Sequence, residues 1–110
     1  VAFESGLYVV RFGTPRGEGA GVAYLSDGKL RGGDSMMAYV GSYNEANGQL
    51  QADVRAYQHT DVPDMESVFG VDEVDIHLTG PISGGNAKLT GTAPQAPGVN
   101  LTVVMERLHD

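Results

Sequence analysis

The stretch with the most obvious chemical potential is residues 17–34, GEGAGVAYLSDGKLRGGD. Glycine runs can cradle a phosphate with backbone N–H groups. A P-loop, however, needs Lys-Ser/Thr directly after the glycines, and a dinucleotide fingerprint needs a helix behind them. Here Gly17, Gly19 and Gly21 are followed by Val22, Ala23, Tyr24 and Leu25, then by Asp27-Gly28, a two-residue hairpin signal. The glycines are therefore expected to serve the backbone. They allow a strand to lie close to its neighbour, or leave room for a large side chain across a sheet.

The other chemistry-bearing residues are sparse. His59 and His77 fall on strand-like segments and could meet across a sheet, with Asp53, Glu73 or Asp75 completing a metal site. Their spacing does not enforce this, and polar surface histidines are the simpler reading. His109 lies near the end of the chain. Asp34 follows Gly32-Gly33 and is expected to accept a hydrogen bond from the backbone two residues on, with a catalytic or metal-ligating carboxylate as the other reading. Cysteine is absent, so thiolate chemistry and disulfides are excluded. No serine sits in G-x-S-x-G. The Asn100-Leu101-Thr102 acceptor pattern falls inside a strand-like segment and is set aside. Residues 61–75 hold Asp61, Asp64, Glu66, Asp72, Glu73 and Asp75 and no base. That segment is either a solvated acidic loop or a patch that attracts a basic partner.

Charge narrows the classes. The 110 residues carry 14 acids against 7 bases, a formal charge of −7. The bases stand one by one along the chain, which argues against nucleic acid as a partner. No apolar run approaches the ~20 residues of a membrane helix. The opening VAFESGLYVV lacks the basic-then-apolar order of a secretory leader, so the expected location is the cytoplasm.

The elements that must position these residues are short and of period two. Strands are predicted over 6–12, 21–26, 29–33, 36–43, 49–59, 73–82, 87–93 and 99–108, with a helical turn at 64–69. The segment 49–59 is the clearest. Leu50, Ala52, Val54 and Ala56 alternate with Gln49, Gln51, Asp53, Arg55 and Tyr57. In 73–82, Val74, Ile76 and Leu78 likewise alternate with Asp75, His77 and Thr79. NEANG at 44–48 and SGGN at 83–86 read as turns. Eight antiparallel strands in one domain, 1–110, fit an up-and-down β-barrel or a two-sheet sandwich. Closure into an all-β barrel would remove exposed edges, a hazard for small β proteins. Tyr8, Tyr24, Tyr39, Tyr43 and Tyr57 all fall on strands, as core residues or as the lining of a cavity.

The ordered pieces GLY (6–8), GEG (17–19), GGD (32–34), YVGSY (39–43) and VRAYQH (54–59) together resemble the GrlR-like family of bacterial negative regulators of type III secretion. The resemblance implies a lipocalin-like barrel, a homodimer and a non-enzymatic role. It also implies a protein that binds and blocks a helix-turn-helix transcriptional activator through an acidic run in the loop after the Y-x-G strand. The matching stretch here is Asn44, Glu45, Ala46 and Asn47, in which Glu45 is the acid.

The function expected is a regulatory protein-binding module, a negative regulator that sequesters a basic transcriptional activator. No cofactor, metal or catalytic residue is expected. The expected partner surface is Glu45, Asp61, Asp64, Glu66, Asp72 and Glu73. The alternative is a carrier of a small hydrophobic ligand, which requires a cavity of ~300 Å³ or more. A metal or carboxylate enzyme using His59, His77 and Asp75 is the third reading.

Overall fold

The computed structural model describes residues 3–63 and 72–110. They form eight antiparallel strands: β1 (Gly6–Thr14), β2 (Gly17–Ser26), β3 (Lys29–Gly33), β4 (Met37–Ala46), β5 (Gln49–Gln58), β6 (Glu73–Ser83), β7 (Asn86–Thr92) and β8 (Leu101–His109). Each pairs with the next, and β8 pairs back to β1, so the sheet closes into an up-and-down barrel. The helical turn predicted at 64–69 lies outside the described residues.

Alternation builds the wall. Along β5 and β6 every second residue is buried, with Leu50, Ala52, Val54 and Ala56 inward beside Val74, Ile76 and Leu78. Asp53, Arg55, Glu73, Asp75 and His77 point outward. Apolar residues inside and charges outside reverse the arrangement of a lipid-facing barrel on these two strands. No described helix is long and apolar enough to cross a membrane.

Two ranges differ from the sequence expectation. The glycine-rich run 17–21 is not a connection but the first half of β2, paired with β1 from Gly17 opposite Thr14 to Gly21 opposite Val10. Residues 44–46 are not part of a turn but the last residues of β4, so the hairpin is closed by Asn47-Gly48 alone.

The two ends of the barrel are unlike. At one end Asp27-Gly28, Asn47-Gly48 and Gly84-Gly85 each place two successive residues at positive φ, with values of 54° and 78°, 55° and 75°, and 60° and 91°. These are tight hairpin turns whose twist matches that of the strands. The same end is plugged from within. Phe3 stacks on Tyr8 at 4.8 Å between centroids and meets Tyr43 edge-on at 6.4 Å. At the other end, beyond a tight turn at 15–16, lie the connections 34–36 and 93–100 and the described flanks of the β5–β6 connection, 59–63 and 72.

Candidate functional site

A cavity of about 170 Å³ occupies the half of the barrel away from the aromatic plug. Its lining is almost wholly apolar. Phe12, Tyr39, Met36, Met37 and Met105 supply rings and thioethers, while Ala56 and Ala23 are too small to fill the space. The rim holds Glu18, Asp34 and Ser35. A small eight-stranded barrel can be filled by its own side chains, and this one is not.

The glycines of β2 explain how the two rings reach this wall. Phe12 sits directly opposite Gly19. A Cβ at Gly19 would lie 2.7 Å from the Phe12 Cε1 and Cζ atoms. A Cβ at Gly21 would lie 2.9 Å from the Tyr39 hydroxyl and 2.7 Å from the Gly33 carbonyl oxygen. The rings meet edge to face, 6.2 Å apart at 88°. Glycine on β2 is thus the floor on which Phe12 and Tyr39 lie, the steric role expected of it.

Asp34 ties this region together. Its Oδ1 accepts hydrogen bonds from the backbone N–H of Met36 at 2.8 Å and of Met37 at 2.7 Å. The first of these is the two-residue reach expected from the sequence. Its Oδ2 accepts the Tyr39 hydroxyl proton. His59 closes the loop from the other side, with Nε2 2.9 Å from the Asp34 carbonyl oxygen and its backbone N–H donating to the Met36 carbonyl at 2.9 Å. Asp34 therefore acts as the staple of the β3–β4 loop. The sequence pointed to its turn role but not to its bond with Tyr39, five residues on.

Two buried phenols follow from this packing. Burial, then the hydrogen bond and negative charge of Asp34, hold the Tyr39 hydroxyl far above its ordinary value. Burial also raises Tyr8, against the opposing pull of the Arg107 guanidinium. Unfolded tyrosines ionise near pH ~10. Above that pH the unfolded chain sheds protons that the folded chain keeps. Stability is therefore full below ~10 and falls above it, by at most about 1.4 kcal/mol per pH unit for each phenol. Urea midpoints between about pH 9 and pH 11 are expected to drop, and Tyr39→Phe is expected to flatten that slope by one phenol's share.

The residues expected to bind a partner do not form one patch. Glu45 lies at the plugged end, in the inward register opposite buried Leu50. Its Oε1 accepts the Phe3 N–H at 2.6 Å, so the carboxylate fastens the plug. Asp61 and Asp72 stand exposed at the opposite end, flanking the β5–β6 connection. The Asp72 carbonyl accepts the Gln58 N–H at 2.9 Å. Glu73 pairs with Arg55, which also holds Asp75 at 2.8 Å. Asp64 and Glu66 lie outside the described residues.

His59 and His77 do not meet. His77 is on the outer wall opposite Asp53, with Nδ1 2.7 Å from the Asp53 Oδ1, while His59 lies past the end of β5. Among the described residues no three histidine or carboxylate side chains gather as a metal site. Gln95, which the sequence did not single out, ties the β7–β8 connection to β6. Its side chain accepts the Asp75 N–H at 3.0 Å and donates to the Asp75 carboxylate at 2.8 Å.

No protein-family model matches the chain, and no curated protein sequence matches it.

Proposed function

We propose that the chain is a non-enzymatic regulatory module that works by holding other proteins. The observation that carries this reading is the division of the outer wall into two unlike sides. On β1–β2, Leu7 stands opposite Tyr24 and Val9 opposite Val22. These two adjacent pairs form an apolar patch, with Tyr24 46% and Val22 44% exposed. Four strands away, β5–β6 presents Asp53, Glu73 and Asp75, with Asp61 and Asp72 beyond them, Arg55 as the nearby counter-charge and the His77 imidazole beside Asp53. An exposed apolar patch on a small protein is the mark of an association surface. An acidic wall favours a basic partner, chiefly by speeding encounter.

In this reading the apolar side pairs with a second copy and the acidic side meets a basic transcriptional regulator in the cytoplasm. The order of glycine and tyrosine pieces that resembles the GrlR-like negative regulators supports the same role. The partner surface it implies shifts from Glu45, which is committed to the plug, to the β5–β6 wall. The carrier reading is weaker, because the cavity of about 170 Å³ falls short of the ~300 Å³ typical of a ligand pocket.

Two measurements test the proposal. Sedimentation velocity is expected to show a dimer for the intact chain and a folded monomer for Val22→Asp/Tyr24→Asp. Capture from the source cell is expected to recover a basic DNA-binding protein. Recovery should fall several-fold with the Asp53→Asn/Asp72→Asn/Glu73→Gln/Asp75→Asn variant, whose lost surface pairs cost little stability. A monomeric intact chain removes the dimer. Equal recovery by both proteins removes the acidic wall as the partner surface.

A further inference from the structure

We infer that the barrel cavity is a binding site for one small, uncharged aromatic ring. This does not rest on the protein-holding role, which uses the outer wall.

Size comes first. The space is about 170 Å³. An engineered apolar cavity of about 150 Å³ stays dry and takes up benzene. A fatty acyl chain or a fused polycyclic ligand needs more room than this, and the Phe3–Tyr8–Tyr43 plug blocks extension through the far end. One ring with a short substituent fits.

Lining chemistry comes second. Phe12 and Tyr39, already edge to face at 88°, offer a third ring both a face and an edge. Met36, Met37 and Met105 bring three polarizable thioethers to the same space, and sulfur contacts with aromatic rings are favourable. Met36 and Met37 sit on the loop end, where flexible side chains can adjust to an entering ring.

Polarity comes third. The Tyr39 hydroxyl spends its proton on Asp34, so what it has left for a ligand is an oxygen lone pair. The Asp34 carboxylate is occupied by Tyr39 and by the N–H groups of Met36 and Met37. With Glu18 also at the rim, an anion would meet two carboxylates and a chain of net charge −7. A cation would have to leave water for an almost wholly apolar lining in which the Asp34 carboxylate is already engaged, so the ring is neutral and carries at most a single hydrogen-bond donor.

The test uses the whole chain, labelled with ¹³C at its methionine methyls, and titrates toluene, benzyl alcohol and octanoate. Toluene and benzyl alcohol are expected to saturate with half-points on the order of 0.1–1 mM, the range open to so few atoms. Shifts should centre on Met36, Met37 and Met105, and octanoate should leave them unmoved. Ala56→Val and Ala56→Leu place extra carbon in the cavity. Each is expected to weaken toluene at least tenfold, and the smaller valine keeps the test valid should leucine prevent folding. Failure of toluene to saturate overturns the inference. So does octanoate binding better than toluene, or equal toluene affinity in the intact chain and the Ala56→Val variant.

Discussion

Alanine at Gly41 is expected to remove about 3 kcal/mol of stability or more. Gly41 stands opposite Val54 in the β4–β5 ladder. A Cβ there would press into the carbonyl oxygen of Asp53 and lie 2.9 Å from the Val54 Cα. Both obstacles are backbone, so relief requires parting two strands that pair over their whole length. Ordinary overpacking costs about 1–3 kcal/mol because side chains can give way, and here none is in the path. Gly19→Ala provides the contrast. Its added carbon would lie 2.7 Å from ring atoms of Phe12, a side chain beside an open cavity into which it can swing. That variant should lose about 1 kcal/mol. Denaturant midpoints of the two variants against the intact chain decide the matter. Equal losses would mean that the close approach at Gly41 relaxes as readily as a ring turns.

Asp34→Ala is expected to cost about 3 kcal/mol, by a different mechanism. The substitution strands three donors at once: the N–H groups of Met36 and Met37 and the hydroxyl of Tyr39. Tyr39 is only 9% exposed, so water cannot freely replace the lost acceptor. Asp34→Asn should lose only about 1 kcal/mol. Its amide oxygen still serves the two N–H groups, and its NH₂ donates to the Tyr39 oxygen, which leaves the Tyr39 hydroxyl proton as the one stranded donor. Amide exchange at Met36 and Met37 gives the local readout. It should accelerate strongly in the alanine variant and little in the asparagine one. If both variants unfold at the intact chain's denaturant midpoint, the loop is held by something other than Asp34.

The fold was legible where one residue decides one position. The alternation from Gln49 to Tyr57 fixed which side of β5 faces inward, and Asp27-Gly28 and Asn47-Gly48 marked two turns because few other pairs accept positive φ twice. Gly17–Gly21 hid the start of β2, since three glycines in five residues leave no apolar alternation to read. The purpose of Gly19 and Gly21 emerges only when the β1–β2 hairpin lays Phe12 on the one and the curl of the sheet brings Tyr39 of β4 onto the other. Glu45 was misplaced for a similar reason. Its neighbours Asn44 and Asn47 suggest a loop, but the strand runs on, and its inward register turns the carboxylate to the Phe3 N–H. The cavity could not be read at all. It is the difference between the barrel's bore and the summed bulk of side chains from many strands, and small residues such as Ala23 and Ala56 count only in that sum.

Closure of the barrel also shapes how the chain must assemble. Seven of the eight pairings join strands adjacent in sequence, most of them through short turns, so the sheet can grow as a ribbon one hairpin at a time. The eighth joins β1 to β8, where Arg11 meets Glu106 across 95 positions of chain. That seam cannot form until the other strands have brought its two edges together, which makes it the natural last step. Before it shuts, the ribbon carries two bare edges, each able to recruit a strand from another molecule. The exposed ion pair of Arg11 and Glu106 lies diagonally across that seam, with Glu106 opposite Val9 and Arg11 opposite Val104, and opposite charges there favour a ribbon finding its own far edge.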